Sequence, residues 1–289
     1  MPDPGQHPRL SLIISVYNNP PLLRKMLRAV AIQTRLPDEV VIADDGSSDE
    51  AVLAACDALL SLPCPVKYVW QAHAGFRLAK SRNNAVRETT GDILAFLDQD
   101  ILCTRRYLEL CTRNVRDSTF LVAWYNYLTA EQSTRVTDEA VDAGAYWHVL
   151  TRGQQWALKR QFIKEGFYRL AQRCLSYRVC RLKIRGGAFA LTRRDFQRVD
   201  GFDESFQAWG YEDDDLGWRL NAAGVRGRNV FWRDYALHLY HPTSHRDRLA
   251  NRAYYLRRRA EIAGGSIQAV RGLSNPLDGR EYTVRTIRS

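Results

Sequence analysis

No run of about 18 uncharged apolar residues occurs in this chain, so no segment is expected to cross a membrane as a helix. The N-terminus, Met1-Pro-Asp-Pro-Gly-Gln-His-Pro-Arg9, lacks the charged-then-apolar plan of an export signal. The six cysteines (56, 64, 103, 111, 174 and 180) form no CxxC pair and show no metal-ligand spacing. Without an export signal they read as reduced thiols of a cytoplasmic protein. No internal repeat is present. What remains is a chain of 289 residues with 45% apolar content, ample for one large buried core with an appendage.

The net charge of +10 is unevenly placed. Residues 150–185 carry ten basic residues against the single acid Glu165, and residues 246–259 carry six arginines against Asp247. Together these two segments exceed the whole-chain charge, so the rest of the protein is acidic. Basic attachments on an acidic body attract nucleic acid, anionic lipid or phosphorylated substrates.

The first 125 residues alternate in kind. Short apolar runs at Leu10–Val16, Glu39–Ala43, Val66–Trp70 and Ile93–Leu97 read as buried strands. Helical periodicity fills Pro21–Gln33, a stretch from Ser48 to about Leu60, and Ala79–Thr89. Such alternation predicts a mostly parallel sheet covered on both faces. Ligands then bind beyond the carboxyl ends of the strands, where Asp44/Asp45 and Asp98/Asp100 both fall.

Further on, Gln154–Leu175 can form an amphipathic helix, with Trp156, Ile163, Phe167, Leu170 and Cys174 near one face and basic residues around it. Helices are expected at Arg193–Val199, Leu216–Ala223 and Arg246–Ala263, and a strand at Tyr235–Tyr240. Residues from Gly264 onward are turn-rich and read as a tail.

Four constellations carry candidate chemistry. Trp209-Gly-Tyr-Glu-Asp-Asp-Asp215 packs four carboxylates behind an aromatic turn. Crowded carboxylates repel, and a raised pKa suits a base; the same run also suits an acidic helix start. Asp98-Gln-Asp100 places two carboxylates on one side if extension continues, which suits a divalent cation and a diphosphate, or is an ordinary acidic loop. Asp44-Asp-Gly-Ser-Ser-Asp49 offers acceptors for a base or ribose, or is a capped turn. Gly75-Phe-Arg-Leu-Ala-Lys-Ser-Arg-Asn-Asn84 aims Arg77, Lys80 and Arg82 at a helix start that can meet phosphate. Downstream, His238, His241 and His245 offer imidazoles that can complete a metal site begun by Asp100.

Taken together, Leu10–Asn18, Asp44-Asp-Gly-Ser, Gly75-Phe-Arg with Arg82-Asn83, and Phe96-Leu-Asp-Gln-Asp100 resemble family-two nucleotide-sugar glycosyltransferases of the GT-A fold. Gly187-Ala-Phe-Ala-Leu, Gly201-Phe-Asp-Glu and Trp209-Gly-Tyr-Glu-Asp-Asp-Asp-Leu resemble the C-terminal motif of β-1,4-galactosyltransferases and bacterial chondroitin-type polymerase domains. The resemblance spans roughly residues 10–241, and residues 117–185 match no known acceptor region. It implies an α/β, Rossmann-like, mostly parallel sheet flanked by helices, with a helical basic insertion and a C-terminal extension. The glycosyltransferase domain would cover 1–245, with a donor half to about 116 and an acceptor half from 117, and 246–289 would be the extension and tail.

It also implies roles. Ser15 and Asp45 would contact the uracil end of the donor, Asp98 the ribose, and Arg77, Arg82 and Asn83 the nucleotide or diphosphate. Asp213 would be the catalytic base, and Trp209, Glu212 and Asp214 would line the acceptor pocket. Asp100 with His241, preferred over His238, would hold Mn²⁺ or Mg²⁺. The reaction would be inverting transfer from UDP-Gal, UDP-Glc, UDP-GalNAc or UDP-GlcNAc to a glycan or glycolipid in bacterial surface polysaccharide or lipopolysaccharide synthesis. The basic segments suit peripheral contact with anionic lipid on the inner face of the cytoplasmic membrane. A non-catalytic nucleotide-sugar- or glycan-binding protein is the alternative. A nucleic-acid-binding protein leaves the acidic motifs unexplained, and no nucleic-acid partner is expected.

Overall fold

The structure is a computed structural model and describes residues 8–48, 50–171, 174–175, 181–184, 186–242 and 249–289. His245, Asp49, Cys180, Arg173, Arg178, Arg185, Arg246, Asp247 and Arg248 lie outside the described residues. Among the described residues no helix is long and apolar enough to cross a membrane.

The amino-terminal half alternates as its periodicity requires. It runs β1 (Leu10–Val16), α1 (Pro20–Ala31), β2 (Glu39–Asp44), α2 (Glu50–Ala55), β3 (Val66–Trp70), α3 (Leu78–Arg87) and β4 (Ile93–Asp98). There follow β5 (Ile101–Leu102), α4 (Tyr107–Asn114), β6 (Thr119–Val122), β7 (Tyr125–Tyr127) and the short helices α5 (Ala130–Thr134) and α6 (Asp138–Asp142). A long α7 (Arg152–Ala171) leads to β8 (Ala188–Thr192), α8 (Arg193–Arg198), α9 (Glu212–Ala222), β9 (Arg226–Arg228), β10 (Ala236–His238), α10 (Leu249–Ala263) and β11 (Thr283–Arg288).

The main sheet has the order β11-β3-β2-β1-β4-β8-β6-β9. Strands β3, β2, β1 and β4 are parallel, β8 runs against β4 and β6, and β11 runs against β3. Successive side chains on a strand point to opposite faces. Leu10, Leu12, Ile14 and Val16 of β1 therefore enter one core with Ile93, Ala95 and Leu97 of β4. Ile13, Leu94 and Phe96 enter the core on the other face with Phe189 and Phe202. Burial on both faces explains why these strands read as continuous apolar runs. A second sheet, β5-β10-β7, stands beyond the end of β4.

Two expectations are corrected here. The stretch from Gly264 onward is not a tail, because β11 pairs with β3 at the sheet edge. Its lead-in is clamped by the carboxylates of the 200–204 turn. Asp200 accepts from Ser274 N–H, Asp203 from the Val270 and Arg271 N–H groups, and Glu204 from Leu277 N–H. Residues 249–289 are thus not an appendage: α10 packs Tyr255 and Ile262 against Trp218 and Phe206, and β11 joins the main sheet. Arg258, counted among the basic surface residues, is only 1% exposed and faces Asp203 and Asp215.

The second correction concerns the bounds of α7, which runs Arg152–Ala171, so that Cys174 and Leu175 fall beyond it. Trp156, Ile163, Phe167 and Leu170 share one face and are all exposed, while Leu158 and Glu165 are buried. The body-facing side is held by polar contacts, with Glu165 accepting from Gln161 and Asn229.

Candidate active site

The carboxyl ends of β1, β2 and β4 form the floor of the site. The two acids at the end of β2 separate. Asp44 is fully buried and accepts from Tyr68 and from Ser47 N–H, so it shapes the turn. Asp45 faces the segment leading to α3, accepting from Gln71 at 2.6 Å and from Arg77 N–H at 2.7 Å. Burial pushes its pKa up to about 6 against those hydrogen bonds. Gly46, at φ 86°, lets the chain pass over the His73 backbone, where a Cβ would collide. The rings of Tyr17 and His73 stack at 5.1 Å beside Asp45. Arg77 donates from Nη2 to the Ala72 carbonyl.

Arg82 is the centre of the site. Projecting from α3 with a side chain 0% exposed, it donates to Ser15 Oγ (3.0 Å), Asp213 (2.9 Å), Asp98 (2.7 Å) and the Gly186 carbonyl (2.9 Å). Four of its five N–H groups are thereby used. These contacts make Arg82 the residue that holds Asp98 and Asp213 in place. Asn83, also expected near the donor, points the other way. It is fully buried, its amide spent on Phe202 and Glu204.

Helix α9 begins at Glu212, four residues before the expected start, and takes all four acids into its first turn. Its dipole offsets part of their repulsion. Tyr211 precedes it at φ 76°, an uncommon conformation for a residue with a Cβ, and its ring stacks on Tyr255 at 4.4 Å. Asn251 of α10 holds the Trp209 turn by donating to the carbonyls of Ala208 and Gly210, and Trp209 is half-buried.

Each acid then turns about 100° from the last and meets a different partner. Asp213 accepts from Arg82 and from Gly186 N–H (2.9 Å), with 23% of its side chain exposed. Asp214 pairs with Arg181 at 2.6 Å and accepts from Tyr255. Asp215 is fully buried against Arg219 (2.6 Å). A Cβ on Gly186 would land on the Asp213 carboxylate, so only glycine lets that acid sit on the backbone. Burial raises the pKa of Asp213 against the opposing pull of Arg82. Burial and the neighbouring Asp213 charge push Glu212 up to about 8, so it holds its proton at neutral pH. Asp214 is held low: Arg181 and the Tyr255 hydroxyl outweigh burial.

Asp98 and Asp100 do not share a side. The chain leaves β4 at Asp98 and turns, so Asp98 stays with Arg82 while Asp100 faces two histidines. His241 Nε2 lies 2.9 Å and His238 Nε2 3.4 Å from the same Asp100 oxygen. Register explains the convergence, because His238 of β10 pairs with Ile101 of β5. The three ligand atoms lie within 4.8 Å of one another. Each imidazole turns Nδ1 to a backbone carbonyl, Leu239 O and Pro242 O, which directs Nε2 toward Asp100. One hard carboxylate and two imidazoles suit a divalent transition cation.

A parallel sheet whose strand ends carry these acids, with a carboxylate–histidine cluster at the edge, defines a GT-A-type nucleotide-binding fold. Solved structures agree on that fold. A mannosyltransferase from Pyrobaculum calidifontis, in complex with GDP-Man and Mn²⁺, superposes with TM-score 0.58 at 19% identity over 91% of this chain and 66% of that one. S. aureus TarS in complex with UDP superposes with TM-score 0.56 at 15% identity over 79% of this chain and 60% of that one.

The sequence profile of glycosyl transferase family 2 matches residues 11–196, and the chain belongs to that family. A second profile, described as the N-terminal domain of galactosyltransferase, matches residues 170–242. Validoxylamine A glucosyltransferase of Streptomyces hygroscopicus subsp. limoneus is 31% identical over 78% of this chain and 51% of its own length. Chondroitin synthase of Escherichia coli is 29% identical over 76% of this chain and 33% of its own length. The chain thus spans about half or less of these relatives.

His238, over which the sequence favours His241, joins it at Asp100; the three-residue spacing after a short strand is the signal for the pair. Gly186 is a further site residue, signalled by the Gly186-Gly187 pair ahead of a strand.

Proposed function

We propose that this chain transfers a hexose from a nucleoside-diphosphate sugar, with inversion, to a hydroxyl of a glycan or glycolipid. The observation that carries the reading is Asp213, a partly exposed carboxylate fixed by Arg82 and Gly186 N–H at the head of α9. Asp45, Arg77 and Ser15 line the nucleoside end of the donor site, and Asp98 takes the ribose. Trp209, Glu212 and Asp214 border the acceptor. Asp213 removes the acceptor hydroxyl's proton while that oxygen bonds to the anomeric carbon and the carbon–phosphate-oxygen bond breaks. The nucleoside diphosphate leaves with the electron pair.

Asp100, His238 and His241 would hold Mn²⁺ or Mg²⁺, and the ion would supply positive charge against the diphosphate. The three residues fit such an ion by donor type and separation. Asp100→Ala is expected to abolish Mn²⁺-dependent UDP binding in a calorimetric titration, while His238→Ala weakens it at least about tenfold. An unchanged titration for Asp100→Ala would refute the metal role.

The donor is proposed as UDP-Gal, UDP-Glc, UDP-GalNAc or UDP-GlcNAc, which a screen of the four resolves. TarS has been solved with UDP-GlcNAc, in keeping with a uridine donor. The acceptor is proposed as a bacterial surface polysaccharide or lipopolysaccharide intermediate, met at the inner face of the cytoplasmic membrane. The outward apolar stripe of α7 supports membrane contact, flanked as it is by Lys159, Arg160 and Lys164. Like-charged flanks disfavour a second copy of the helix and favour anionic lipid. The full chain is expected to float with vesicles containing phosphatidylglycerol and not with neutral ones. Trp156→Glu with Phe167→Glu should abolish flotation. Equal flotation with both vesicle types would remove the membrane contact.

A further inference from the structure

Strand β7 carries Tyr125 and Tyr127 on one face, because side chains two apart on a strand point the same way. It pairs in parallel with β10, which sets Tyr127 beside His238. Both rings meet that imidazole, with centres 5.7 Å away for Tyr125 and 4.5 Å for Tyr127. Tyr127 is 57% exposed. Tyr125 is half-buried and reaches the residues that lead into β8.

Glycine admits it there. A Cβ on Gly187 would stand 2.9 Å from Cε1 and 3.1 Å from Cζ of Tyr125, a collision that only glycine avoids. Cζ bears the hydroxyl, so the polar end of the ring lies at this point. The Gly187 carbonyl accepts from Asp98 N–H at 3.1 Å. The preceding residue, Gly186, is the one whose N–H holds Asp213. The charges of Asp98 and Asp213 both act on the phenol. Tyr125 therefore touches the cation cluster through His238 and carries its hydroxyl toward the base.

Packing alone does not require that hydroxyl, since phenylalanine would fill nearly the same volume. Nor does the base require it, because the two Asp213 oxygens already accept from Arg82 and from Gly186 N–H. What the hydroxyl adds is a neutral donor, protonated at neutral pH, beside two partly exposed carboxylates. In the transfer reaction the diphosphate belongs to the Asp100 cluster and the attacking oxygen to Asp213. The anomeric carbon and its sugar lie between them.

We infer that the Tyr125 hydroxyl hydrogen-bonds an oxygen of the transferred hexose, which makes Tyr125 a contact of the donor's sugar and not of its nucleotide. This rests on the glycosyltransferase reading, which places the sugar between Asp100 and Asp213.

The test is calorimetric titration of the full chain and of Tyr125→Phe, with Mn²⁺ present throughout. The probes are UDP, UDP-Gal, UDP-Glc, UDP-GalNAc and UDP-GlcNAc. UDP lacks the sugar, so it reports on the nucleotide site and on folding. Tyr125→Phe should bind UDP as the wild type does. It should bind the UDP-sugar that the wild type prefers about three- to tenfold more weakly. Unchanged UDP-sugar binding would overturn the inference. An equal loss for UDP and the UDP-sugar would overturn it too, by putting the hydroxyl on the nucleotide or in the fold. A wild-type chain that binds none of the five probes fails the donor reading instead, and that failure shows before any variant is made.

Discussion

Asp213→Asn is expected to lower kcat by about 10²–10⁴-fold while leaving UDP binding unchanged. The amide keeps the shape of the carboxylate and its place on Gly186 N–H, but it accepts no proton. Transfer at the wild-type rate by this variant would end the assignment of the base. The pH profile offers a second reading of the same group. Asp213 must be ionised to act, and burial holds its pKa above the ordinary aspartate value. Activity therefore falls as the pH drops through that raised value, and the acid limb of log kcat/KM should lie above the ordinary aspartate value. Glu212, pushed up to about 8 by burial and the Asp213 charge, holds its proton at neutral pH, which disfavours it as the base.

The largest effect on stability is expected at Arg82. Arg82→Met fills much of the same volume but removes the cation shared by Asp98 and Asp213. It also leaves Ser15 Oγ and the Gly186 carbonyl without their donor. Removing one partner of a buried ion pair costs about 3–5 kcal/mol, because the remaining charges stay desolvated. The urea midpoint should fall accordingly at neutral pH, with an unchanged slope. Arg82→Lys should recover little, since one ammonium cannot reach four acceptors held by a planar fork. An unchanged midpoint for Arg82→Met would show that this hub contributes nothing to folding.

Much of the plan was legible because it is written in local chemistry. The runs at Leu10–Val16 and Val66–Trp70 became strands at those bounds, since burial on both sheet faces leaves a pure apolar signature. Asp45 and Asp98 fell at strand ends because the turn after each strand follows at once. Other features were hidden for physical reasons. Asn83 looks like a ligand residue beside Arg82, yet 100° of helix rotation aims it at the 200–204 turn. Arg181 and Arg258 count toward net charge like any surface arginine, and only their packing against Asp214 and Asp215 reveals them as buried partners. The strand β11 was unreadable because an edge strand with an exposed face has no strong apolar pattern.

The sequence by itself determined the alternating α/β order, the family and the set of acids available for chemistry. Those depend on periodicity and on motifs a few residues long. Only the tertiary structure decided what each acid does. Asp98 and Asp100 are two residues apart but serve different groups, because a turn intervenes and β5 pairs with β10. Asp213, Asp214 and Asp215 are consecutive but face Arg82, Arg181 and Arg219 in turn. The role of a carboxylate is set by the charge and burial around it, and two of those three partners arrive from segments 131 and 33 residues away.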